Sequence, residues 1–167
     1  MKRAKQNFGG DWTQEKLERV SRYLSAYTTI MSHYKFRFAY IDAFAGTGYR
    51  TIERDDNQEE LPFPDLDSFL DGSASIALQI KPPFTKYIFV EQNESRFAEL
   101  QRLKEEFPQL QNDIILVNAD ANSYIKDICL GYSWKVNRAV LFLDSFGMEV
   151  TWDTIEAIAA TKAIDLW

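Results

Sequence analysis

Phe38-Ala39-Tyr40-Ile41-Asp42-Ala43-Phe44-Ala45-Gly46-Thr47-Gly48-Tyr49-Arg50 is the stretch that decides the fold of this chain. An apolar run ends in an acid and enters a turn that carries two glycines. The pattern predicts a short buried strand, Phe38 to Ala43, running straight into a tight turn. Gly46 and Gly48 lack a Cβ, so the backbone can turn sharply there and a ligand can lie against it. Such a turn puts a nucleotide-like cofactor at the carboxyl edge of a parallel sheet. A plain buried strand with a glycine turn would read the same way, and this stretch alone does not separate the two.

The turn does exclude some ligands. A dinucleotide fingerprint has a third glycine after Gly-x-Gly, with an anion site for pyrophosphate; here Tyr49 and Arg50 follow. A Walker A loop ends in Lys-Ser/Thr, which is absent, and this disfavours a phosphotransfer protein. Asp42 would repel a polyphosphate. It suits a cofactor with a hydroxylated ribose and a cationic group, and S-adenosylmethionine has both.

Outward from this turn, apolar strands alternate with helices. Leu17, Val20, Leu24, Tyr27 and Met31 recur at spacings of three and four, which predicts an amphipathic helix over 13–34 with Asp11 or Thr13 as its cap. Residues 51–71 (TIERDDNQEELPFPDLDSFLD) form an acidic insertion with two prolines, read as an irregular loop over the site. Gly72 to Leu78 reads as a helix start, broken at Pro82-Pro83. A second strand, Tyr87 to Val90, ends in Glu91, and a helix from Ser95 to Phe107 turns Phe97, Leu100 and Leu103 inward before Pro108 stops it. The third strand is Ile114 to Val117, followed by Asn118-Ala119-Asp120-Ala121-Asn122 and a short helix over Tyr124 to Leu130. The fourth strand, Ala139 to Asp144, precedes a Ser-Phe-Gly turn, a helix from Thr151 to Thr161, and a fifth strand beginning at Ile164. The fold class is therefore α/β: a Rossmann-like, doubly wound, mostly parallel sheet in a single domain spanning 1–167.

Composition agrees. A chain of 167 residues with 46% hydrophobic residues can bury one core. A net charge of −6 provides no global basic field for nucleic acid. Lys2, Arg3 and Lys5 make a small basic cluster, read as a solvated terminus. Cys129 is the single cysteine, so an internal disulfide is excluded and a reducing cytoplasm fits. Its apolar neighbours Ile125, Ile128 and Leu130 make it a small core residue rather than a nucleophile. His33 is the single histidine, which excludes histidine metal clusters, and it reads as a helix-end surface residue. No apolar run approaches the length of a membrane span, and the polar N-terminus does not read as a signal peptide.

In this fold, ligands bind outside the carboxyl ends of the strands where the strand order reverses. The sequence puts a carboxylate there four times: Asp42, Glu91, Asp120 and Asp144. Glu91 can accept hydrogen bonds from both ribose hydroxyls. Asp120 can accept from an adenine amino group, and Asn122 could cap the following helix. Asp42 can orient the methionine end through water or the turn amides. With Phe44, Gly46, Gly48 and Ala121 these make up the expected cofactor-binding set. Taken singly, each acid could equally be an ordinary helix cap.

Leu141-Phe142-Leu143-Asp144-Ser145-Phe146-Gly147 is an apolar strand ending in Asp-x-aromatic-Gly. It resembles the Asp/Asn-Pro-Pro-aromatic segment of amino methyltransferases. The resemblance implies that Asp144 holds an exocyclic amine in line with the sulfonium methyl while Phe146 stacks on the base, so both are candidate catalytic residues. Positioning is most of such catalysis, because the donor is already activated. Ser145 stands where proline is usual and leaves the turn less constrained.

Taken in order, Tyr40 to Gly46, Gly72 to Leu78, Asp120-Ala121-Asn122, Leu141 to Asp144, and the run Trp152, Thr154-Ile155, Ile158-Ala159 and Thr161 to Trp167 resemble the three-Cys-motif partner protein (TcmP) family. The resemblance covers nearly the whole chain from the first helix onward. It implies a bacterial or archaeal methyltransferase-like Rossmann domain, encoded beside a partner that carries a three-cysteine motif of the phage Gp37/Gp68 type. Members of that family continue well past the position of Trp167. The expectation here is thus a truncated or split protein, or an obligate partner of another chain, with an apolar edge left open at the fifth strand. Two functions follow as expectations: an S-adenosylmethionine-dependent methyltransferase acting on an amino group of nucleic acid or protein, or a non-catalytic module that binds the three-cysteine partner.

Overall fold

The computed structural model describes residues 10–46, 73–143 and 149–167, with the side chains of 10–14 left aside. Helix α1 (Gly10–Ser32) leads into strand β1 (Arg37–Asp42). Residues 73–79 form α2. Then come β2 (Lys86–Val90), α3 (Glu94–Leu100), α4 (Arg102–Glu106), a 3-10 turn (Pro108–Leu110) and β3 (Ile114–Val117). The remaining elements are α5 (Ala121–Gly131), β4 (Asn137–Phe142), α6 (Trp152–Thr161) and β5 (Ile164–Leu166).

The five strands make one sheet in the order β3-β2-β1-β4-β5, with every pairing parallel. This is the Rossmann-like α/β arrangement. The order reverses between β1 and β4, whose register sets Ile41 opposite Leu141 and Asp42 opposite Phe142.

Strand side chains alternate between the two faces, so the sheet builds two cores. On one face Phe38, Tyr40, Tyr87, Phe89 and Val140 pack under Val20 and Leu24 of α1, Ala74, Ala77 and Leu78 of α2, and Leu100 and Leu103 of α3 and α4. Phe84 is the aromatic hub there, with ring centroids of Tyr27, Phe38, Tyr40 and Tyr87 all within 6.0 Å. On the other face Ile41, Ile88, Val90 and Leu141 meet Ile125 and Ile128 of α5 and Ile158 of α6. Cys129 is buried in that second core and its thiol pKa is pushed up by burial, as expected of a packing residue. His33 lies exposed just past the end of α1.

The structure corrects several boundaries. The first helix begins at Gly10, so Asp11 and Thr13 lie inside it and do not cap it. The expected helix over 95–107 is two helices, α3 and α4, that break at Gln101. The chain between α2 and β2 contains a cis Lys81–Pro82 peptide. The helix after β3 starts three residues earlier than periodicity suggests, because Asp120 caps it. The acidic insertion 51–71 lies outside the described residues. No described helix is long and apolar enough to cross a membrane.

Helices α5 and α6 are also joined by an ion pair, Lys126 Nζ to Asp153 Oδ2 at 2.7 Å. The hydrogen bond from Lys126 is the main cause that lowers the Asp153 pKa to about 2, helped by Thr151. A carboxyl whose folded pKa is depressed contributes stability above its unfolded value, and that contribution is lost as pH falls through the folded one. Here the window runs from the ordinary carboxylate range down to about 2. Asp153 is exposed, so salt should weaken the effect. A carboxyl-resolved NMR titration should show the Asp153 midpoint near 2 and a rise toward the ordinary range in Lys126→Ala, where the Thr151 bond remains; an ordinary midpoint in the unmodified protein would remove the pair from the solution structure.

Candidate functional site at the carboxyl edge of the sheet

Beyond Asp42 the chain crosses the point where strand order reverses. The Ala43 N–H donates to the Phe142 carbonyl of β4 (3.1 Å), and two residues later the Ala45 N–H donates to the Val90 carbonyl of β2 (3.0 Å). The turn is thereby stitched to the strands on both sides of β1. Gly46 follows with φ 57°, the left-handed region where a Cβ is disfavoured. The preceding residue, Ala45, is the one held to the end of β2, next in sequence to Glu91.

Asp42 is fully buried. Alternation puts its side chain on the same face as Tyr40, toward α2. Its Oδ1 accepts from the Phe44 N–H (3.3 Å), and its Oδ2 accepts from the Ser73 hydroxyl (3.1 Å), itself fully buried. The carboxylate thus ties the end of β1, the turn and the start of α2 together. Beside it lies the Tyr40 hydroxyl, oriented toward Asp42 and Ser73 but within hydrogen-bonding geometry of neither. Burial first, and then the Asp42 charge, push the Tyr40 phenol well above its ordinary pKa. A buried negative charge at low dielectric favours a cation placed near it.

Glu91 follows β2 and is nearly buried. Its N–H donates to the Val117 carbonyl (3.0 Å), and its carbonyl accepts from Asn118 Nδ2 (2.8 Å), which holds the backbone on both sides. Its Oε1 accepts from the Asn93 N–H at 2.7 Å. The Oε2 has no partner among the described residues. A fixed carboxylate with one open oxygen can accept from vicinal hydroxyls.

Asp120 is exposed and serves as the N-cap of α5, its Oδ2 accepting from the Ser123 N–H at 2.8 Å. The bland reading of this acid is therefore realised, and its Oδ1 has no hydrogen-bond partner among the described residues. Ala121 is buried at the first turn of α5 and Phe44 is partly buried against the second core. Asp42, Phe44, Gly46 and Glu91 come together at the ends of β1 and β2. Asp120 and Ala121 sit at the end of neighbouring β3. Gly48, Asp144 and Phe146 lie outside the described residues.

Sequence reasoning missed one participant and gave another a different role. Ser73 sits inside a recognised helix start, and only the three-dimensional approach of α2 to β1 makes it a ligand of Asp42. Asn122 is not the cap expected of it. It lies one residue into α5, and its Oδ1 accepts from the Thr151 N–H (2.9 Å), the Thr151 hydroxyl (3.2 Å) and the Thr154 hydroxyl (2.8 Å). Its Nδ2 donates to the Glu149 carbonyl (2.8 Å). Asn122 therefore clasps the start of α6 to the start of α5, holding the return from the β4 loop beside the Asp120 turn.

No known family model and no curated protein matches this sequence. Seven solved chains are similar, among them the following two. A Legionella pneumophila protein of the DUF519 family aligns over 89% of this chain and 64% of its own, with a TM-score of 0.56 and 15% identity. A conserved hypothetical protein of Streptococcus pyogenes aligns over 84% of this chain and 69% of its own, with a TM-score of 0.48 and 22% identity. The first likeness shows the fold, and this chain spans 64% of that protein's length.

Proposed function

We propose that this chain is an S-adenosylmethionine-binding domain of the methyltransferase type, related to the TcmP family, that transfers a methyl group to an amino group of nucleic acid or protein. The observation that carries the proposal is the Ala45 to Val90 hydrogen bond. It ties the residue before Gly46 to the end of β2, next in sequence to Glu91, whose Oε2 has no partner among the described residues, at the edge where strand order reverses. The residues fit that cofactor in kind. The Glu91 Oε2 would accept from the ribose hydroxyls, and the Asp120 Oδ1 from the adenine amino group. Buried Asp42 fixes the turn and supplies negative charge on the side of the cationic methionine end. S-adenosylmethionine would bring an activated methyl on its sulfonium, so the protein's task reduces to orienting donor and acceptor. Asp144 and Phe146 take the acceptor-holding role by their sequence motif.

A second reading is a non-catalytic module that binds a three-cysteine partner of the Gp37/Gp68 type. Ser145, in place of the proline usual in amino methyltransferases, favours it. Incubation with tritiated S-adenosylmethionine and mixed RNA, DNA and protein acceptors separates the two. Methyl label on an acceptor, lost in Asp144→Ala, supports the enzyme. Cofactor binding with no label on any acceptor supports the module.

A further inference from the structure

The amino edge of the sheet, opposite the candidate cofactor site, carries the reverse charge. Lys35 and Arg37 lead into β1, Lys135 and Arg138 flank the start of β4, and Lys162 precedes β5. These are three adjacent strands, with Arg37 opposite Asn137 and the Ala139 N–H donating to the Ala163 carbonyl beside Lys162. At the usual strand spacing the three starts span about 10 Å. Lys35, Arg37, Lys135 and Lys162 are exposed, and among the described residues none of them forms an ion pair. Asp113, at the neighbouring start of β2, is matched by Lys86 at 2.8 Å.

The loops that carry these cations are built rather than loose. The Arg37 N–H donates to the Val136 carbonyl (3.1 Å), which joins the loop before β1 to the loop before β4. Asn137 Nδ2 closes the second loop on the Ser133 carbonyl at 2.8 Å. The Arg138 guanidinium lies 4.1 Å from the Phe36 ring centroid, and its Nη1 donates to the carbonyls of Trp134 and Asn137. Each loop also presents an exposed ring supported by a second one: Tyr34, 60% exposed, against Phe36, and Tyr132, 56% exposed, against Trp134.

The chain's net acidity is concentrated in one stretch of its sequence. Residues 51–71 contain eight acids and one arginine, a net −7, so against a whole-chain charge of −6 the other 146 residues carry +1. We infer that the amino edge of the sheet is a binding surface for single-stranded nucleic acid. The cations meet backbone phosphates, and Tyr34 and Tyr132 give unpaired bases a face to stack on. Exposed rings favour a single strand over a duplex, whose bases are already stacked. Strands of up to six residues separate this edge from the carboxyl edge by about 20 Å, so the surface anchors a strand rather than presenting a base for chemistry. It stands whether or not the cofactor assignment holds.

The test is fluorescence anisotropy of labelled oligothymidylate and oligouridylate with the full chain, at about 50 and about 200 mM salt. The unmodified protein should bind, with affinity falling as salt rises. The triple variant Lys35→Glu/Arg37→Glu/Lys135→Glu should bind at least about 10-fold more weakly, with a log–log salt slope shallower by about 2, as expected for three lost phosphate contacts. Tyr34→Ala/Tyr132→Ala should bind at least about fivefold more weakly with the slope unchanged, a change that only stacking predicts. Unchanged thermal unfolding of both variants keeps the comparison on binding. Absence of binding at the lower salt, or equal affinity of wild type and triple variant, would overturn the proposal. Equal affinity for a polyglutamate peptide would overturn it in favour of an acidic protein partner.

Discussion

Glu91→Gln is expected to weaken S-adenosylhomocysteine binding by about 10- to 150-fold while leaving the fold intact. The range follows from the roughly 1.5–3 kcal/mol that a hydrogen bond to a charged group contributes, at about 1.4 kcal/mol per tenfold in affinity. Glutamine is the informative replacement because the side chain has two jobs. Its Oε1 holds the Asn93 N–H at the start of α3, and Asn93 in turn caps that helix by accepting from Ser95 and Arg96. An amide oxygen can keep that bond. It cannot present a second acceptor, so only the face proposed for the ribose changes. Isothermal calorimetry on variant and wild type reads the difference, and an unchanged Kd with wild-type stability would remove Glu91 from the site.

Leu141→Ala should lower the free energy of unfolding by about 2–5 kcal/mol, the range for truncating a large buried aliphatic side chain. Leu141 is fully buried in β4, paired with Ile41 on one side and Leu166 on the other. It packs in the core that α5 and α6 cover. Against a total of about 5–15 kcal/mol for a typical domain, the loss is a large fraction. The next residue, Phe142, receives the Ala43 N–H that anchors the turn after β1, so damage at this strand reaches the candidate site as well. Ile115→Ala is the control: Ile115 lies on outer strand β3 and is 37% exposed, and truncation there should cost about 1–2 kcal/mol. Urea unfolding of both variants measures the contrast; similar losses at the two positions would contradict the burial that defines the core.

Strand positions and the parallel character of the sheet were legible in the sequence because each buried strand is a short apolar run ending at an acid or a turn. Phe38 to Ala43, Tyr87 to Val90 and Ile114 to Val117 all fall within a residue of the observed strands, whereas Ala139 to Asp144 is displaced by two residues from β4. Helix ends were less legible, since they depend on caps that compete locally. Asp120 wins the start of α5 over a hydrophobic pattern that begins only at Tyr124. The site was half legible. An acid, a glycine turn and a second acid announce Asp42, Gly46 and Glu91 without any contact information. Nothing in one dimension announces that Ser73 bonds Asp42 across 31 positions, or that Asn122 reaches Thr151 and Thr154 on another helix. Those partners exist because the crossover helices return to the same edge of the sheet.

The account rests on the carboxyl edge being a cofactor site, and titration of the unmodified full chain with S-adenosylhomocysteine tests that most directly. Saturable heat at one ligand per chain, with a rise in unfolding temperature, is the result expected. No heat and no thermal shift at millimolar ligand would contradict it, and would leave the Gly46 turn as a structural bend beside two buried carboxylates.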